Sequence, residues 1–98
     1  MIVDEKLLKK CVEAWGEEAQ VNMAIEEMAE LTKALMKLRR ARGKDFIDRV
    51  YDVREEIADV LMTVQQMRLI YGASNVDAQI GRKTERLIER LKEPQKGG

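Results

Sequence analysis

A chain of 98 residues with 18 basic and 18 acidic side chains carries no net charge, which removes any global electrostatic case for binding nucleic acid or an anionic membrane. It contains no histidine, which excludes His-ligated zinc, Ser-His and Cys-His nucleophile pairs and the Glu-x-x-His motif of di-iron bundles. Aromatic residues make up only 4%, and a domain this small buries only about two-thirds of its unfolded surface, so a thin aliphatic core completed by oligomerisation is expected.

Residues 3–15 read as a first helix, with Leu7, Leu8, Cys11, Val12 and Trp15 at three- and four-residue spacing. Gly16 is its expected stop, since glycine accepts the left-handed conformation beyond a helix end. A second helix is predicted over 17–41, opened by Glu17 and Glu18 and closed at Gly43 after the basic run Lys37, Arg39, Arg40 and Arg42. That run matches the cations a helix C-terminus favours, and no interleaved aromatics support base stacking, so nucleic-acid binding is not the expected use. A third helix is predicted over 46–71, closed by Gly72. A fourth places Val76, Ile80, Leu87 and Leu91 on one face, with Ser74 and Asp77 as its capping pair, and ends before Pro94. The reading is a single all-α domain over 1–92, a four-helix bundle, with a flexible tail over 93–98. The lone Cys11 rules out an intramolecular disulfide and reads as a core residue. The first residues lack the apolar run of a signal peptide, and no stretch approaches the ~20 apolar residues of a membrane span. A cytoplasmic, soluble chain is expected.

Two acidic heptapeptides stand out, Ile25-Glu26-Glu27-Met28-Ala29-Glu30-Leu31 and Arg54-Glu55-Glu56-Ile57-Ala58-Asp59-Val60. Residues three apart share a helix face, so Glu27 and Glu30 point one way, as do Glu56 and Asp59. The expected packing seam runs through Val21, Met28 and Leu35 on the second helix, with Ala24, Leu31 and Leu38 beside it. On the third it runs through Val50, Ile57 and Val64, with Val53, Val60 and Met67 beside it. Each acid pair then flanks its seam, and an antiparallel hairpin lines one groove with four carboxylates. A chain with 12 glutamates yields single Glu-x-x-Glu pairs by chance, and a solvated helix face is the plain alternative. Clustered carboxylates repel and need a cation, and hard oxygen ligands without His or Cys select Mg²⁺ or Mn²⁺ over zinc.

Glu26-Glu27-x-x-Glu30, then 25 intervening residues, then Glu56-x-x-Asp59 resembles the signature of the MazG-like all-α nucleoside triphosphate pyrophosphohydrolases, relatives of the dimeric dUTPases. The similarity runs over roughly residues 15–92. It implies that Glu27, Glu30, Glu56 and Asp59 hold Mg²⁺ and that the chain hydrolyses nucleoside triphosphates between the α and β phosphates, giving a monophosphate and pyrophosphate. A homodimer or homotetramer is implied as well. Glu26 and Glu55 are candidates for a base or an outer-ligand role. On the fourth helix, Lys83 and Arg86 match the Lys-x-x-Arg pair that such proteins offer to phosphates, and Arg90 continues the stripe. Gln20, two turns before Glu27, is a candidate for reading a base edge. Trp15 is a candidate for stacking on a base, although it reads first as core, and Asn75 and Asp77 match loosely the places where relatives contact base or sugar. The rival reading is a helical module that binds a partner or a nucleotide without turnover.

Overall fold

In a computed structural model, residues 3–94 are described, and they form four helices: α1 (Glu5–Trp15), α2 (Glu17–Arg40), α3 (Asp45–Tyr71) and α4 (Ala73–Lys92). No helix of the described residues is long and apolar enough to cross a membrane. The flexible tail expected over 93–98 falls, from residue 95 on, outside the described residues.

Local chemistry sets the boundaries. Asp4 caps α1, its carboxylate accepting a 3.0 Å hydrogen bond from the Lys6 N–H. Gly16 at φ 87° is the whole connection between α1 and α2, and its N–H donates to the Val12 carbonyl at 2.7 Å. Gly72 at φ 108° is likewise the whole connection between α3 and α4. A side chain at either position meets the steric penalty of positive φ. The expected Ser74/Asp77 capping pair does not form. Helix α4 starts one residue earlier, at Ala73 with no side-chain cap, and the Asp77 carboxylate instead receives the Arg68 guanidinium at 2.8 and 2.6 Å. A two-bond contact with a charged partner outcompetes a single bond to a backbone N–H.

Helices α2 and α3 pack as an antiparallel hairpin and make most of the tertiary contact; α1 lies against both, and α4 touches only α3. Arg68 ties the pieces together, reaching Glu5 of α1 at 2.8 Å as well as Asp77 of α4. The Gln65 amide holds the segment before α1, accepting from the Val3 N–H at 3.3 Å and donating to the Val3 carbonyl at 2.7 Å.

The seam between α2 and α3 lies about one residue away from its expected phase. Ala24, Ala34 and Val53 are buried in it, with Leu31, Leu38, Val60 and Met67 half-buried around them. Of the residues expected at its centre, Met28, Leu35, Ile57 and Val64 are each more than 40% exposed, and Val21 and Val50 are half-buried. The physical reason is steric. The closed stripe carries Ala24 and Ala34, whose small side chains favour close approach of two helices.

What is left is an open molecule. Among the described residues, Leu8, Ala24, Ala34 and Val53 are the buried apolar side chains. The accessible surface is 7948 Å², against about 5,700 Å² for a compact monomer of this mass. The radius of gyration is 17.2 Å, against about 13 Å for a compact domain of 100 residues.

Candidate functional site

The shifted seam carries Glu27 and Glu56 into the contact between the long helices instead of beside it. Glu27 of α2 and Glu56 and Asp59 of α3 are all half-buried, and one carboxylate oxygen from each lies within 4.8 Å of the others. Burial, reinforced by the negative charges of Asp59 and Glu56 and by hydrogen bonding with both, pushes the Glu27 carboxyl above its usual pKa. Oε2 of Glu56 is buried and has no hydrogen-bond partner. None of the ion pairs of the described residues reaches these three acids: Arg49 pairs with Asp52, Arg68 with Glu5 and Asp77, and Lys92 with Glu89. A buried carboxylate oxygen without a partner is costly. The three acids offer oxygen donors only, and together they could hold a hard metal ion.

Three of the four expected ligands thus come together, and Glu30 does not join them. It is exposed and lines an adjoining cavity of about 140 Å³ with Lys33, Ala34, Lys37, Asp52 and Glu56. Glu56 therefore borders both the carboxylate cluster and this cavity. Glu26 and Glu55 are exposed and stand outside the cluster, as their phase anticipates. Lys83, Arg86 and Arg90 line a separate surface cavity of about 270 Å³ with Leu87. Every described residue of α4 from Asp77 onward is exposed, and α4 makes no contact with α2. Within one chain the basic stripe and the carboxylates therefore occupy different places.

The remaining candidates are relocated by packing. Gln20 is 2% exposed, buried within the single chain. Trp15 is 64% exposed at the end of α1, which corrects the core reading and leaves its ring free to stack. Cys11 is half-buried. Asn75 is exposed in the first turn of α4. Asp77 is engaged by Arg68, which holds its carboxyl below the usual range. Lys33 is a cavity residue that the acidic motifs do not announce; its one signal in the sequence is a position three residues after Glu30, on the same flank of α2.

No protein-family model, no curated protein and no solved structure matches this chain.

Proposed function

We propose that this chain is a Mg²⁺-dependent nucleoside triphosphate pyrophosphohydrolase of the MazG-like kind, cleaving between the α and β phosphates to a monophosphate and pyrophosphate and so clearing unwanted nucleotides. The observation that carries the reading is the Glu27, Glu56 and Asp59 cluster, with its unpartnered Glu56 oxygen, on the residues of the Glu-x-x-Glu and Glu-x-x-Asp pattern. Those three would hold the ion, with Glu30 at the edge of the adjoining cavity. Mg²⁺ supplies charge neutralisation at phosphate oxygens and lowers the pKa of water. The chain's own residues contribute position: α2 and α3 fix the carboxylates, and exposed Glu26 and Glu55 stand within the same turns as candidate bases. Exposed Trp15 is the candidate base platform.

The working form in this reading is a homodimer or homotetramer. An excess surface of roughly 2,200 Å² per chain over a compact monomer, together with exposed Met28, Leu35, Ile57, Val64, Ile80 and Leu87, supports it. Burial of that excess matches the size of obligate interfaces. A cytoplasmic setting accords with the single unpaired Cys11. The same exposed apolar surface favours the second reading, a helical interaction or nucleotide-binding module without turnover.

Product analysis on a panel of canonical and modified nucleoside triphosphates decides between them. Monophosphate and pyrophosphate, formed with Mg²⁺ and lost on chelation and in Glu56→Ala, support the hydrolase. Orthophosphate release places the cut elsewhere, and no turnover on any substrate favours the module.

A further inference from the structure

The cavity beside the carboxylates has a chemistry of its own. Lys33 and Lys37 sit one turn apart on α2 and line it together with Glu30, Asp52 and Glu56. Like charges at this spacing repel, so the arrangement is unfavourable for the helix by itself. Neither lysine forms an ion pair among the described residues, although three carboxylates line the same cavity. Asp52 is already held by Arg49 at 3.3 Å. Ala34, itself buried, also lines it. At about 140 Å³, the cavity has room for four or five waters at their liquid volume of ~30 Å³ each, enough for a phosphate group. The two ammonium groups are thus donors outside any direct ion pair, on the cavity that Glu56 shares with the carboxylate cluster.

We propose that Lys33 and Lys37 form a binding site for a condensed phosphate, receiving the end of a polyphosphate whose other end lies at the Glu27, Glu56 and Asp59 carboxylates. The proposal rests on the hydrolase reading only in taking those carboxylates to hold a divalent cation. A divalent cation there would offset two of the three carboxylate charges of the cluster, and two lysines lining the cavity supply charge-assisted hydrogen bonds to phosphate oxygens. The arrangement assigns the anion-binding role to α2 in the same chain instead of to Lys83 and Arg86 of α4, which lie in a different cavity.

The test is calorimetric binding of inorganic pyrophosphate to the full chain in saturating Mg²⁺, followed by steady-state hydrolysis of a nucleoside triphosphate. Lys33→Ala and Lys37→Ala should each weaken pyrophosphate binding about tenfold, as expected for one charged hydrogen bond. Lys33→Arg should restore most of the loss, and Lys44→Ala, away from the cavity, should change nothing. Thermal melts of the variants check that the fold is kept. In turnover the lysine variants should raise KM with kcat little changed, the pattern of a lost substrate anchor. The proposal is overturned if the parent does not bind pyrophosphate. It is equally overturned if the Lys33→Ala/Lys37→Ala double variant binds like the parent, and loss of binding in Arg86→Ala alone would then assign the role to α4. Lysine-dependent pyrophosphate binding without any hydrolysis keeps this proposal and defeats the hydrolase reading. Hydrolysis indifferent to both lysines does the reverse.

Discussion

Glu27→Gln isolates the electrostatics of the carboxylate cluster, because it keeps the shape of the side chain and removes its charge. Two unit charges at 4.8 Å, the upper bound on the separations here, repel by about 0.9 kcal/mol at the dielectric of water and about 3.5 kcal/mol at an effective value of 20. Glu27 faces both Glu56 and Asp59 from a half-buried position open to water, so the lower end applies to each pair. Its removal should stabilise the metal-free chain by about 1–2 kcal/mol at pH 7, raising Tm by roughly 5–10 °C in a domain of this size. The dependence on pH has a definite sign. Burial and its acidic neighbours raise the folded-state pKa of Glu27 above 4.5, so its contribution to stability is fully present below that value and is lost as the pH rises through the raised one. The advantage of the variant therefore vanishes below about pH 4.5 and opens as the parent ionises. Saturating Mg²⁺ should invert the order, since binding at a hundred times Kd stabilises the parent by about 2.7 kcal/mol and the variant has lost a ligand. Circular-dichroism melts of both proteins, in chelator and in Mg²⁺ across pH 4–8, read all of this. A Glu27→Gln variant that melts below the parent in chelator at neutral pH would refute the reasoning and make Glu27 a structural hydrogen-bonding residue.

Ala24 is fully buried where the long helices touch, so Ala24→Leu should cost about 1–3 kcal/mol by overpacking. An unchanged denaturation midpoint would mean that the seam is not close-packed. Arg68→Ala removes the contacts to Glu5 and Asp77 and should lower the urea midpoint, modestly because both carboxylates are partly exposed to screening solvent. Because Arg68 holds the Asp77 carboxyl below 3.8, the stability from that pair is present above this value and is lost as pH falls through the folded one. The gap between parent and variant in urea titrations should accordingly narrow on acidification. Ile80→Glu places a charge on the exposed apolar face of α4; sedimentation should show a smaller species than the parent, and an unchanged one would clear this face of any role in association.

Much of the local structure was legible in the residues. Helical periodicity and the glycines at 16, 43 and 72 located all four helices to within a residue or two, because a positive φ at a helix end is chemistry the chain displays openly. Repeated Glu-x-x-acid spacing likewise marked Glu27, Glu56 and Asp59 before any packing was known. The seam was harder. Helices α2 and α3 each carry two adjacent apolar stripes, and hydrophobicity alone favours the bulkier Met28, Leu35, Ile57 and Val64. The stripe that closes carries the small Ala24 and Ala34 instead, and with it Glu27 lies inside the contact while Glu30 is left outside.

The amino-acid sequence by itself determined an all-helical chain with its turns at glycine, a thin aliphatic core, no histidine chemistry and a pair of acidic motifs at matched helical phase. Only the tertiary structure decided that three acids meet while the fourth opens onto a lysine-lined cavity, that Gln20 is buried, and that the basic stripe of α4 stands apart from the carboxylates. The physical reason is that helical periodicity is a one-dimensional property carried by each segment. Which faces meet depends instead on side-chain volumes from two segments at once, and on contacts such as Arg68 with Glu5 and Asp77 that join residues far apart in the chain.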